Sequence, residues 1–314
     1  MSPRVGVAVN PTAGGGRGAA AGSATALRLT EAGFDVVLLQ AGSAVELIER
    51  AATAIADGLD ALVVVGGDGM VHLGTNLVAS TTLPLGIVAA GTGNDVARSL
   101  GLPVKDLAAA AQVVVDAVRA GTNRPVDAVR CGPEPAGRRW FAGVLGAGFD
   151  ALVNERANSW SWPRGRRRYD LAILRELPVL RPRDYVLELD GVRHELQAVL
   201  VAVANSPAYG GGLHVCPDAQ MDDGLLDVLV VGPLSRTRFI RLYPSVFSGR
   251  HVGHPEVQVL RARVVRLNSP GIVGYADGER IDPLPLTCEA VPGALRVLAA
   301  ATGRSTPADV GADG

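Results

Sequence analysis

The chain has 314 residues, enough for two domains with cores of their own, and 30 Lys plus Arg against 31 Asp plus Glu leave a formal net charge of -1. So balanced a chain carries no global field for nucleic acid, and no apolar run reaches membrane-spanning length. Cys131, Cys216 and Cys288 are odd in number and lack zinc-site spacing, so they read as small core residues.

Residues 4–9 form an apolar strand that runs into Asn10-Pro11-Thr12-Ala13-Gly14-Gly15-Gly16-Arg17-Gly18 and an Ala-rich helix to about residue 32. Nothing at this end reads as a leader, so a cytoplasmic protein is expected, with peripheral contact at the inner membrane face left open. Strand, glycine loop and helix N-terminus together offer amides to an anion, and Arg17 adds a planar donor; the rival reading is a plain strand-to-helix connection. A strand over 34–39 follows, then a helix over 45–56 with Ser43 and Glu46 spaced as a capping box.

Residues 61–65 are all apolar, three of them β-branched, and predict a buried strand of a parallel sheet. It ends in Gly66-Gly67-Asp68-Gly69, where missing Cβ atoms let an anion approach and a single carboxylate calls for a cation beside it. A further strand over 85–89 discharges into Gly91-Thr92-Gly93-Asn94-Asp95. Capping alone accounts for Asn94 and Asp95, yet three such turns gathered at one sheet edge point to a phosphate site. His72 reads as a helical residue facing a partner or solvent.

After a helix over 107–120 the rhythm changes. Strands are predicted over 126–131, 140–145, 185–189, 194–204, 225–231, 257–267 and 272–275, with Asp190-Gly191 and Asp277-Gly278 as hairpin turns and helices over 166–177 and 235–247. This half reads as an antiparallel β-sandwich, and 304–314 as a loose tail. Trp160, Trp162 and Tyr169 stand among Arg164, Arg166, Arg167 and Arg168, a composition suited to an anionic lipid surface or to a solvated helix start. Asp218, Asp222 and Asp223 cluster as a hard-metal site would, or as an exposed acidic turn. In Asp277-Gly278-Glu279, either acid suits a base that takes a proton from a hydroxyl.

Taken together, these motifs resemble the bacterial diacylglycerol kinase family, soluble lipid kinases related to sphingosine and ceramide kinases. The resemblance implies an α/β nucleotide-binding domain over 1–123, similar to phosphofructokinase and NAD kinases and completed by 291–303. It also implies a β-sandwich over 124–290, with ATP and Mg2+ in the cleft between them. By the same resemblance Asn10, Thr12, Gly14, Gly67, Asp68, Gly69 and Thr92 contact ATP, and Pro11, Ala13, Arg17, Gly66, Asn94 and Asp95 complete the candidate set. Asp68 reaches Mg2+, Glu279 is the base with Asp277 beside it, and Asp223 holds a structural Mg2+ with the carbonyls of Gln220 and Leu225. Met70 and Leu73 depart from the family pattern, which has Thr and then Asn-Glu there. The expected reaction moves the γ-phosphoryl group of ATP to a diacylglycerol-like hydroxyl. The rivals are an NAD or sugar kinase and a catalytically silent nucleotide-binding membrane protein. A homodimer is an expectation that the sequence leaves open.

Overall fold

β-branched apolar runs separated by Gly-rich turns and Ala-rich helices build the first half. The computed structural model describes residues 2–11, 16, 18–133, 139–160, 162 and 166–299. Its elements are β1 (Arg4–Val9), α1 (Gly18–Glu31), β2 (Asp35–Gln40), α2 (Ala44–Ala56), β3 (Ala61–Gly66), α3 (Asp68–Val78), β4 (Leu85–Ala89), α4 (Asp95–Ser99) and α5 (Leu107–Ala120). The strands lie parallel in the order β2-β1-β3-β4, with β3 and β4 wholly buried. Ser43 caps α2 by accepting the Glu46 N–H at 3.2 Å.

The second half comprises β5 (Arg124–Gly132), β6 (Arg139–Phe141), β7 (Val144–Gly148), α6 (Phe149–Asn158), α7 (Arg166–Glu176), β8 (Arg183–Leu189), β9 (Val192–Ala198), β10 (Leu200–Ala204) and β11 (Leu226–Val231). It continues with α8 (Arg236–Val246), β12 (Val257–Ala262), β13 (Val264–Asn268), β14 (Val273–Ala276), β15 (Glu279–Pro283) and β16 (Leu286–Val297). One sheet runs β12-β11-β10-β7-β14-β15. The other continues the first half's sheet from β4 through β16, β13, β8 and β9, with β5 on β16 and β6 on β5. Phe141, Leu145, Leu187, Val203, Leu226 and Leu267 fill the space between the two sheets.

Three expected strands each divide, the run 140–145 parting at Ala142 and Gly143 into β6 and β7. The run 194–204 breaks at Val199 into β9 and β10, and 257–267 breaks at Arg263 into β12 and β13, the two pieces joining different sheets each time. These are sandwich corners. The Arg263 N–H is received by the Asp190 carboxylate at 3.1 Å instead of by a ladder partner. α6 was not expected from sequence, while β15 and β16 were foreshadowed only by the Asp277-Gly278 turn and by the return of 291–303 to the first domain that the resemblance implies. In β16 the register shifts between Val291 and Leu295, where Gly293 adopts a φ of 61°. Beyond the shift Val297 pairs with Leu85 of β4 in parallel, so this strand serves both halves. Buried Asp127 secures the bend, accepting the Gly293 N–H at 2.8 Å and the Gly224 N–H at 2.7 Å.

Candidate active site

At the carboxyl edge of the parallel strands, β3 runs out at Gly66 and Gly67 caps α3 in extended conformation, leaving Asp68 as the first helical residue. The turn after β4 lies against this one. A Cβ on Gly91 would stand 2.3 Å from the Gly67 Cα, so close packing alone demands glycine there. Asn94, at a φ of 57°, folds its amide back on Gly91, whose N–H donates to Oδ1 at 3.0 Å and whose carbonyl receives Nδ2 at 3.0 Å. Its side chain therefore shapes the turn and is already engaged.

Three carboxylates converge here. Asp68 Oδ1 accepts the Val96 N–H at 3.2 Å. Buried Asp95 pairs with Arg98 at 2.8 Å and, across the cleft, accepts the Gly211 N–H at 2.6 Å. Burial pushes the Asp68 carboxyl up to about 6; the charges of Asp95 and Asp277 add to this, and the Val96 amide opposes it. A crowded, desolvated carboxylate with unmet charge fits a divalent cation, so Asp68 with Asp95 near it is a donor set suited to Mg2+.

The facing wall is the β14–β15 hairpin, turned by Asp277 (φ 53°) and Gly278 (φ 86°). Asp277 accepts N–H groups from Gly143 at 3.0 Å and from Ala142 and Val144, each at 3.2 Å, while His72 Nδ1 lies 3.4 Å from its Oδ2. Glu279 is exposed, and its Oε1 is 3.6 Å from where a Cβ on Gly69 would sit. Asp68, Gly69, Thr92, Asp95, Asp277 and Glu279 all line one cavity of about 600 Å3.

From these acids the cavity extends between α6, α7, α8 and the outer face of the second sheet, past Phe149, Val153, Ile173, Leu229 and Leu242. Phe149 meets Phe239 edge-on, with centroids 5.1 Å apart. One end is anionic and lined by turns; the other is an apolar channel.

The remaining candidates fall as follows. Asn10 and Pro11 end β1 beside β3, the Asn10 N–H donating to the Val65 carbonyl at 3.3 Å. Thr12, Ala13, Gly14, Arg17 and the Arg166 side chain lie outside the described residues. Met70 and Leu73 are core residues, Met70 packing against Gly66, so their departure from the family pattern changes packing under the loop. His72 turns to Asp277 instead of to solvent. Asp223 is not in the cavity wall. Its Oδ1 accepts the Leu225 N–H at 3.0 Å and its Oδ2 pairs with Arg261, so a guanidinium supplies the charge expected of a cation, while Gln220 is exposed. Among the described residues no group of three or more His, Cys, Asp or Glu is placed to hold a metal. Trp160 is half-buried and its carbonyl receives Arg168 at 3.1 Å, whereas Trp162 and Arg167 are exposed. The three cysteines are buried and free.

Sequence reading missed Gly143, where a Cβ would lie 2.4 Å from Asp277 Oδ1, and with it the cradle of amides that holds this acid. The available signal was a glycine inside the predicted strand 140–145, which marks a close approach.

Residues 4–131 match the diacylglycerol kinase catalytic domain, and residues 143–299 match the YegS C-terminal NAD kinase beta sandwich-like domain. The chain is 44% identical over 290 residues to a diacylglycerol kinase of Mycobacterium tuberculosis, covering 92% of this chain and 93% of that one. The chain belongs to the diacylglycerol kinase family. It is a lipid kinase of the ATP-dependent kind. This lipid kinase shares its fold with a diacylglycerol kinase from Bacillus anthracis (TM-score 0.68, 22% identity, 95% and 96% of the two chains covered). It also shares it with an NAD kinase from Archaeoglobus fulgidus in complex with ATP (TM-score 0.53, 15% identity, 95% and 92% covered).

Proposed function

We propose that the cavity binds ATP at its acidic end and a diacylglycerol in its apolar channel, and that the γ-phosphoryl group passes to the lipid's free hydroxyl between Asp68 and Glu279. The observation that carries this reading is the continuity of the cavity: acids and glycine turns at one end, aromatic and aliphatic side chains at the other. Phosphoryl transfer asks for positioning and charge stabilisation, which turn amides and a cation near Asp68 would provide. Mg2+, when bound, would neutralise charge developing on the phosphate oxygens.

Glu279 is the favoured base. Asp277 already accepts three amides, whereas Glu279 is exposed beside Gly69 and free to take the proton as the new P–O bond forms and the bond to ADP breaks. Asp277 instead fixes the hairpin and so the position of Glu279. A structural Mg2+ at Asp223 would have to displace Arg261; Arg261→Ala should then make thermal stability more Mg2+-dependent, and an unchanged response would remove that site.

The test is direct. Labelled ATP with diacylglycerol in mixed micelles should yield labelled phosphatidic acid, and NAD should yield no labelled product. Labelled NADP with unlabelled lipid would overturn the reading.

A further inference from the structure

One carboxyl in the apolar part of the cleft has no task in the phosphoryl transfer described above. Asp150, in the first turn of α6, is 7% exposed and lines the cavity, and neither carboxylate oxygen has a hydrogen-bond partner. Its Oδ2 lies 1.6 Å from where a Cβ on Gly146 would sit, so β7 forgoes a side chain to seat it. The Ala151 amide and the Tyr209 hydroxyl stand close and favour the charged form. Burial outweighs them and pushes this carboxyl up to about 7. A buried polar group without a partner is costly, so a partner supplied from outside the chain is what such a site lacks.

The strands set its depth. The Asp277 N–H donates to the Val144 carbonyl at 3.1 Å, and Gly146 pairs with Tyr275. Gly146, against which Asp150 is seated, therefore lies two residues along β7 from the contact with Asp277, about 7 Å. In a diacylglycerol, five bonds separate the free hydroxyl oxygen from the carbonyl oxygen of the neighbouring ester, and six separate it from that of the other ester. Extended, these span about 6 to 7 Å.

We infer that Asp150 is the ester-recognition point of the acceptor site, donating a hydrogen bond to a carbonyl oxygen of a glycerolipid whose free hydroxyl lies at Glu279. This rests on the reading that the channel holds the lipid acceptor. A carboxyl in apolar surroundings keeps its proton and can donate. An ether-linked lipid offers no carbonyl to receive it, and a cationic sphingoid amine would require the ionised form.

The experiment compares 1,2-dioctanoylglycerol with its 1,2-dioctyl ether in mixed micelles, for wild type, Asp150→Asn and Asp150→Ala. Asp150→Ala should raise KM for the diester about tenfold, the worth of one such hydrogen bond, with kcat and the diether KM unchanged. Asp150→Asn keeps an N–H donor and should restore the diester KM. Equal losses on both lipids, or a fall in kcat with Asn, would overturn the inference while leaving the acceptor reading intact. No turnover of either lipid by wild type would overturn both. Should the Ala variant not fold, the infrared carbonyl stretch of a 13C-labelled diester bound to wild type decides: a shift to lower frequency than in apolar solvent supports the inference, and no shift overturns it.

Discussion

Asp277 and Glu279 stand two residues apart and divide the labour of the hairpin. Asp277→Asn replaces a charged acceptor of three amides and should lower stability by about 1 to 3 kcal/mol, read as a shifted urea midpoint. Glu279→Gln touches no such network. It should leave the midpoint in place and cut kcat by at least about a hundredfold, with ATP affinity retained. Equal kcat in that variant would move the base elsewhere.

Asp150 supplies a pH signature. Its carboxyl lies at about 7 in the fold because it is buried, against about 4 in an unfolded chain. Between these values the native state holds the extra proton, so stability is full below about pH 4, falls as pH rises and has lost this contribution above about pH 7. The loss is at most about 4 kcal/mol. Denaturant unfolding at about pH 5 and about pH 8 should show a larger drop for wild type than for Asp150→Asn. Asp68 and the Asp277-Gly278-Glu279 hairpin were legible in the sequence because each motif carries its own chemistry. Gly143 was not, because its reason for being glycine is an acid 134 residues away.

Among the elements, α6 was missed for a physical cause. Asp150 and Asn154, one helical turn apart, are both buried against the cavity, so the apolar period that announces a helix is interrupted on its inner face. The divided strands 140–145, 194–204 and 257–267 were misread as continuous because a corner between sheets leaves the apolar pattern intact. α7 shows the converse: Leu171 and Leu174 are exposed at 45% and 60%, and Trp162 just before it at 79%, beside exposed Arg167 and Arg175. Such a face, next to the lipid channel, motivates the proposal that it docks on an anionic bilayer. Among the described residues no helix is long and apolar enough to cross one. Leu174→Glu should reduce sedimentation with phosphatidylglycerol vesicles while kcat on short-chain diacylglycerol micelles stays level. Undiminished sedimentation would dismiss the face.

For the whole molecule, alternating strands and helices followed by strands alone were enough to predict an α/β half and a β half. What the pattern did not disclose is that one sheet passes through both. β16 lies between β4 and β5, with Leu298 N–H on the Leu85 carbonyl at 2.8 Å and Ser80 N–H on the Ala294 carbonyl at 2.8 Å. A fragment of residues 1–123 would leave the β4 edge bare. It should fail to give the cooperative melt that the full chain gives in calorimetry; an independent sharp transition would contradict this.

The strand shared by both halves acts like the spine of a book whose pages cannot slide past each other. Swinging the halves apart would tear a ladder of peptide bonds' hydrogen bonds, so admission of a bulky lipid falls to the turns where Asp95 meets Gly211. A cysteine staple joining β5 to β16 should accordingly pass unnoticed in turnover, whereas a rate lost on oxidation and regained with reductant would show that the halves do part.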